Sequence, residues 1–292
     1  MSAAILLQLL VDGILLGGVL ALSALGFNVI FGVMRVVNLA HGDFVVIAAL
    51  ICSFAYVKWG TNPLILLPVT IAFGFALGAL VQHFLLRRLP TELASSEASS
   101  LTLTFGLSYF LAGAGLAIFG GEFRSVPALT GAFQAGPISI SQARLLAFVA
   151  ALVIALLLGA LMRWTTLGRA IRATSQNPEG ALACGVDTER VKTLSFALGS
   201  AVACAAGTLL SLIYTLNPQM GVGFTISAFA VVAIGGLGNY TGAIVGALLL
   251  GCVSSFSSYF AGAKLAEAAP YVAFIAVLLF LPAGIMGGRR FS

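Results

Sequence analysis

Residues 193–263 read TLSFALGSAVACAAGTLLSLIYTLNPQMGVGFTISAFAVVAIGGLGNYTGAIVGALLLGCVSSFSSYFAGA, a run of 71 residues without a single Asp, Glu, Lys or Arg. One helix needs about 20 apolar residues to cross the hydrocarbon core of a bilayer, so this run holds several membrane spans. The whole chain agrees, because 60% of its 292 residues are hydrophobic and only 8% are charged, whereas soluble domains carry about 25% charged residues. The sequence therefore predicts an all-α, polytopic transmembrane helical bundle.

Shorter uncharged runs, each near the length of one helix, extend this pattern over the rest of the chain: residues 13–34, 59–86, 98–121, 145–162 and 268–288. We expect one transmembrane domain over residues 1–292, with eight or nine spans. The first run lacks the cleavage site of a secretory signal, so we interpret it as a retained span.

Residues 225–237 are too short for a regular span. Three crossings after an external loop at Asn217-Pro218 would leave the Arg289-Arg290 tail in the cytoplasm. A broken or re-entrant helix over residues 225–237 would instead leave the C-terminus outside, and the sequence leaves both alternatives open.

The largest polar segment is residues 165–192, TTLGRAIRATSQNPEGALACGVDTERVK. Five of the fourteen basic residues lie in it or beside it: Arg163, Arg169, Arg172, Arg190 and Lys192. Because cytoplasmic loops are enriched in Lys and Arg, we place the 165–192 segment in the cytoplasm. Counting spans backward then puts residues 120–144 and the N-terminus outside.

The 165–192 segment carries local helix signals. Asn177 is a good N-cap, Pro178 suits the first helical position, and Gly185 can end the helix in a left-handed conformation, which predicts a short helix over about residues 178–184. Asp187 can then cap the helix that leads into the next span. An ordinary polar loop is the alternative, but two groups of small or apolar residues share helical faces and predict exposed surfaces for a partner protein: Leu167, Ala170, Ile171 and Thr174, and Ala181, Leu182 and Gly185.

Two glycine-rich segments lie toward the two ends of the chain. The first covers residues 26–33 and is followed by residues 38–43, at the joint between the first two spans, where polar groups concentrate. The second covers residues 228–247, in which Gly235-Gly236 can break a helix beside a pore, while glycines spaced by four residues favour tight helix packing. Both packing and pathway roles are consistent with this composition.

Three separated motifs together resemble the LivH-type permeases of branched-chain amino acid ABC importers. They are Asn-x-Ala-His-Gly at residues 38–42, Gly-Arg-Ala-x-Arg-Ala at residues 168–173, and Gly-Gly-x-Gly-Asn-x-x-Gly-Ala at residues 235–243. The resemblance spans most of the chain, and the order of the three motifs makes it specific. It implies a multi-pass protein of the bacterial inner membrane that forms half of a translocation pathway and works by ATP-driven alternating access.

The resemblance also implies partners and site residues. The partners are a homologous LivM-type permease, two cytoplasmic ATPases of the LivG/LivF type that carry ATP and Mg, and a periplasmic substrate-binding protein. The 165–192 segment would couple to the ATPases through Gly168, Arg169, Arg172, Ala173, Asn177, Glu179, Ala181 and Gly185. The pathway would involve Asn28, Phe31, Asn38, His41, Phe229, Gly235 and Gly236.

The residues exclude several other functions. The sequence contains no GxxxxGK[ST] phosphate loop, so ATP hydrolysis of the P-loop kind must belong to another chain. Neither a catalytic constellation nor a set of metal ligands is indicated, because the four cysteines are scattered and no paired carboxylates share a face. The positive charges lie at span ends rather than in one patch, so we do not expect nucleic acid as a partner.

The solute is less constrained by the sequence. Many branched-chain amino acid members of the family have a lysine where this chain has Ser227, so urea, short amides or other small polar acids are alternative solutes for the same importer class. A stand-alone channel or secondary carrier is the alternative from another class. Such carriers commonly hold an ionisable residue at mid-membrane, whereas the ionisable groups of these spans, Asp12, His41, Asp43 and His83, are predicted to lie near span ends.

Overall fold

The computed structural model describes residues 3–88 and 97–287, which form an almost wholly helical chain. In order, the elements are α1 Ala3–Met34, α2 His41–Trp59, α3 Pro63–Val81 with a π-helical continuation Gln82–Leu86, α4 Glu97–Phe119, β1 Ala132–Ala135, β2 Ile138–Ser141, α5 Gln142–Trp164, α6 Thr166–Gln176, α7 Pro178–Ala183, α8 Thr188–Leu210, a 3-10 turn Pro218–Met220, α9 Gly221–Gly235 and α10 Tyr240–Phe280. Within the described ranges, eight helical segments are long and apolar enough to cross a membrane. The prediction of a polytopic bundle with eight or nine spans is confirmed.

The centre of the bundle is α1, which packs against α5, α8, α9 and α10. The contact with α10 depends on small residues. A Cβ atom added to Gly13 would lie 2.7 Å from the Cys252 Cα, and one added to Gly17 would lie 2.8 Å from the Leu248 Cα. Since no side chain fits between these backbones, the glycines allow the two helices to approach closely.

The chain doubles back after α1. Arg35 has a φ of 55°, in the left-handed region, and the non-helical residues that follow bring His41 beside Ser23, with the His41 Nε2 to Ser23 carbonyl distance at 3.0 Å. Ser23 lies three turns before the end of α1, about 16 Å along the helix axis. Consequently His41 and Asp43 lie at one end of their span, as predicted, but this end of α2 begins deep inside the bundle.

The short apolar segment predicted over residues 225–237 is the fifteen-residue helix α9, which begins at Gly221. It starts beside the deep end of α2, because the Gly42 N–H donates to the Thr225 hydroxyl at 2.7 Å. It ends at Gly235, where Gly236 takes a φ of 106° that favours glycine. Both helices are therefore interrupted inside the bundle.

The helix α10 contains a non-helical residue, Gly262, with a φ of 77°. The chain then returns, and the Ile285 N–H donates to the Ile234 carbonyl at 2.7 Å while the Asn239 amide donates to the Met286 carbonyl at 2.9 Å. The last described residues thus lie beside the turn between α9 and α10. The predicted Arg289-Arg290 tail lies outside the described residues.

At the opposite end of the bundle, β1 and β2 form an antiparallel hairpin. The two loops predicted to be external meet there, because Arg124 and Leu216 exchange backbone hydrogen bonds of 2.8 and 2.9 Å. The Arg144 guanidinium also pairs with the Asp12 carboxylate at 2.6 Å at this end. Burial raises the pKa of the nearby Tyr214 hydroxyl, while the positive charge of Arg144 acts in the opposite direction.

Candidate functional site

The 165–192 segment forms α6, α7 and the first turn of α8, each begun by a side-chain cap. Thr165 Oγ1 accepts from the Gly168 N–H at 3.0 Å, Asn177 Oδ1 from Gly180 at 2.9 Å, and Asp187 Oδ1 from Arg190 at 3.0 Å. Since each cap satisfies a backbone N–H that the helix itself leaves free, the local sequence determines where the helices begin. The predicted short helix, its N-cap and the left-handed Gly185 are confirmed.

The apolar face of α6 does not face an outside partner, contrary to the prediction. Ile171 is only 5% exposed and packs with Val33 of α1 and Val191 of α8, with Leu167 and Ala170 beside them. The physical reason is that α6 turns back under the bundle immediately after α5, so the ends of α1 and α8 are the nearest apolar surface. Leu182, at 61% exposure, is the large apolar side chain that remains accessible in the 165–192 segment.

The eight residues predicted to couple to the ATPases divide into two groups. Gly168 and Ala181 are buried, and a Cβ on Gly168 would overlap the Met162 carbonyl oxygen, so their roles in this structure are packing roles. The remaining six are exposed: Arg169, Arg172, Ala173, Asn177, Glu179 and Gly185.

Two arginines fasten α6 to the bundle. The Arg172 guanidinium donates to the Met162 carbonyl near the end of α5. Arg35, at the end of α1, donates from Nη2 to the Ser175 carbonyl in the last turn of α6 at 2.9 Å. Arg172 therefore has a contact inside its own chain. Sequence reasoning missed Arg35, since 140 residues separate it from its partner and no motif contains it.

The predicted pathway residues include aromatic side chains that the fold gathers around Phe27. The ring centroid of Phe27 lies 6.3 Å from that of Phe31, 5.3 Å from that of His41 and 6.1 Å from that of Phe229. Phe229 also contacts Phe274, at 5.9 Å. Residues from α1, α2, α9 and α10 thus share one aromatic cluster, which the spacing along the chain could not reveal.

The remaining predicted pathway residues lie at turns or in close helix contacts. Asn28 Oδ1 accepts from the Gly238 N–H at 2.9 Å and ties α1 to the turn between α9 and α10. Asn38 Oδ1 accepts from the Ala40 N–H at 3.1 Å. A Cβ on Gly235 would overlap the Gly242 carbonyl and stand 2.7 Å from the Ala243 nitrogen. Of the two roles left open by the sequence, Gly235 therefore has the packing role here.

Residues 38–43 and 221–225 meet in what we call the helix junction. The Thr225 hydroxyl accepts from the Gly42 N–H at 2.7 Å and donates to the Leu39 carbonyl at 2.8 Å. A Cβ on Gly42 would overlap the Gly221 carbonyl oxygen and stand 2.6 Å from the Thr225 nitrogen. The starts of α2 and α9 are thus interlocked.

Asp43 also lies in the helix junction, and the side chain is 2% exposed. Its carboxylate rests against Gly221, where an added Cβ would overlap it. Neither Asp43 nor Thr225 was among the predicted site residues. Asp43 stood in a quoted motif, but its depth follows from the reversal of the chain after Arg35.

The chain is similar to a known family and to several known proteins. The family described as branched-chain amino acid transport system, permease component, matches residues 9–282. The high-affinity branched-chain amino acid transport system permease protein LivH of Salmonella typhimurium is 28% identical, over 96% of this chain and 95% of its own length. The corresponding permease protein BraD of Pseudomonas aeruginosa is 29% identical over the same shares of the two chains.

Two solved structures are also similar to this chain. One is PsaBC from Streptococcus pneumoniae in complex with Fab, at 16% identity and a TM-score of 0.48, covering 94% of this chain and 90% of that one. The other is an inward-facing metal-chelate-type ABC transporter, at 22% identity and a TM-score of 0.46, covering 94% of this chain and 86% of that one.

Proposed function

The chain belongs to the family of branched-chain amino acid transport system permease components, and from that premise we propose that it forms half of an importer's pathway for branched-chain or related amino acids. It is a multi-pass inner-membrane protein and a transport subunit rather than an enzyme. A homologous LivM-type permease supplies the other half of the pathway, and a periplasmic binding protein delivers the solute. Two LivG/LivF-type ATPases bind ATP and Mg and drive alternating access.

The observation that supports ATPase coupling is the way the 165–192 segment is attached to the bundle: one side is exposed and the other side is hydrogen-bonded to neighbouring helices. Its helices α6 and α7 present Arg169, Ala173, Glu179 and Leu182 outward. Behind this surface, α6 is bonded to the bundle. A protein that pushes on the exposed side of α6 therefore displaces a helix with direct contacts to α1 and α5.

The route continues from α6 toward the helix junction. Arg35, which holds the Ser175 carbonyl, is followed by the non-helical residues that lead to His41. Residues 38–43 are bonded in turn to α9 through Thr225. Movement at α6 thus reaches two interrupted helices through continuous covalent and hydrogen-bonded contacts. Such interrupted helices, joined by short non-helical segments, can shift between two arrangements, as alternating access requires.

The test is purification of the tagged chain in mild detergent, followed by reconstitution of the complex in vesicles. We expect a second permease and two P-loop ATPases to co-purify, and leucine import to require the binding protein and ATP. Import of solute by this chain alone, without ATP, would instead support the stand-alone channel or secondary carrier. Import of urea or a short amide in place of leucine would retain the importer class and change the solute.

Arg169→Glu tests the docking surface without breaking an internal contact, since Arg169 is exposed and, unlike Arg172, is not bonded to Met162. We expect weaker association with the ATPases and lower ATP-driven import, because the charge at the exposed face is reversed. Lys58→Glu, at the far end of α2, is the matched charge reversal. Equal retention of the ATPases by the two variants would contradict docking at α6.

A further inference from the structure

The feature that the proposed function leaves unexplained is the carboxylate of Asp43. It lies in the first turn of α2, deep in the bundle, and is 2% exposed. The Ser108 hydroxyl of α4 lies close to it. Nevertheless, Oδ2 is buried and has no hydrogen-bond partner among residues 3–88 and 97–287.

An isolated buried charge is costly, so buried carboxylates are normally paired with a cation or protonated. The ion pairs of the described chain lie near the ends of the bundle, where Asp12 pairs with Arg144, Asp187 with Arg190, and Glu189 with Lys192 and Arg87. Among these described pairs, none includes Asp43. Among the side chains that the structure describes, none neutralises Asp43, which leaves a proton or a cation from elsewhere to do so.

Two helix starts lie beside the carboxylate. Asp43 is in the first turn of α2, and its carboxylate also rests against Gly221, the first residue of α9. The N-terminus of a helix carries a partial positive charge, so two helix starts stabilise a negative charge at this point. Partial charges of this kind do not replace a counter-ion, and Oδ2 still lacks a donor. An ammonium group supplies both a full positive charge and N–H donors.

We propose that Asp43 binds the ammonium group of a zwitterionic amino acid as the solute passes the helix junction. The proposal rests on the proposed function and assigns a residue and a solute group to it. Because α9 packs directly on Asp43 through Gly221, the solute reaches the carboxylate when α9 moves away from the start of α2. The pathway then offers one fixed negative charge to a solute that is otherwise surrounded by apolar and small residues.

The test uses the complete complex in vesicles, with its binding protein, and compares Asp43→Asn, Asp43→Glu and the wild-type chain. Asn keeps the size of the side chain and removes the charge. We expect Asp43→Asn to lower the number of leucine molecules imported per ATP hydrolysed by at least about tenfold, because a buried charged contact is lost. Asp43→Glu, which retains the carboxylate, should recover part of this ratio. Asp12→Asn makes the same chemical change in an acid already paired with Arg144 and should leave the ratio near the wild-type value.

The outcomes separate this site from the proposed function. If wild-type vesicles import no amino acid, both the proposed function and the proposed role of Asp43 are wrong. Normal leucine import per ATP by Asp43→Asn, with an unchanged thermal midpoint, would mean that Asp43 carries a proton and binds no solute. Loss of wild-type import when sodium and potassium are replaced by N-methylglucamine would assign the carboxylate to an inorganic cation and overturn the proposal. Import that is insensitive to that replacement, together with the Asp43→Asn defect, supports the ammonium site.

Discussion

Replacing Thr225 by Val tests whether the helix junction holds α2 and α9 together. The two side chains have nearly the same volume, so the change leaves no cavity, but it removes the hydroxyl. In the structure that hydroxyl accepts from the Gly42 N–H at 2.7 Å and donates to the Leu39 carbonyl at 2.8 Å. Thr225 is 1% exposed, so water cannot replace either bond without a local opening.

The expected loss follows from the two backbone groups left unpaired. An unsatisfied buried polar group costs about 1–3 kcal/mol in soluble proteins. Hydrogen bonds between membrane helices are weaker in practice, averaging about 0.6 kcal/mol with a maximum near 1.7. Two bonds are removed, and both join residues that lie far apart in the sequence. We therefore expect Thr225→Val to lower the free energy of unfolding by about 1–3 kcal/mol.

The measurement is the free energy of unfolding in mixed micelles, with Thr102→Val as the matched control. Thr102 is exposed and its hydroxyl donates only to the Ala98 carbonyl within α4, at 2.9 Å. That carbonyl already belongs to the helix ladder, so the control should change stability by less than about 0.5 kcal/mol. Equal stabilities of the two variants would refute the claim that Thr225 fastens α9 to α2.

The remaining predictions concern the same route. Gly42→Ala places a Cβ against the Gly221 carbonyl, and this overpacking should lower the free energy of unfolding by about 1–3 kcal/mol. Gly32→Ala is the control, since its Cβ meets open space, and it should be neutral or stabilising. Equal thermal midpoints of the two variants would contradict the interlocked helix junction. Arg35→Ala removes the hydrogen bond to the Ser175 carbonyl. Because coupling is lost while the ATPases stay bound, leucine import per ATP hydrolysed should fall by about fivefold or more. An unchanged ratio would show that Arg35 does not couple movement of α6 to transport.

Local signals in the sequence predicted what depends on nearby residues. Hydropathy located the spans because a helix in lipid must be apolar along its whole length. The cap at Asn177 and the left-handed Gly185 were predictable because the groups they satisfy lie within a few residues. The four-residue spacing of glycines in residues 228–247 likewise predicted tight packing, and a Cβ on Gly242 would overlap the Gly235 carbonyl oxygen.

Features that depend on distant residues were not predictable. The face of α6 that contains Ile171 was correctly grouped, but amphipathicity does not say whether a helix covers its own bundle or a partner. The position of Asp43 deep in the bundle depends on the chain reversal at Arg35. Arg35 has a left-handed backbone conformation although it is not a glycine, so the sequence gives no sign of the reversal. The contact between Phe27 and Phe229 joins positions that are remote in sequence.

Backbone contacts also separate the fixed part of the bundle from the part that can move. The seam between α1 and α10 is closed by Gly13 and Gly17, and the Ser255 hydroxyl donates across it to the Leu9 carbonyl at 2.8 Å. By contrast, α9 has an interruption at each end, the 3-10 turn before it and Gly236 after it. A short helix with non-helical connections on both sides can rotate as a unit with little distortion of its neighbours. We therefore expect solute passage to displace α9 relative to α1.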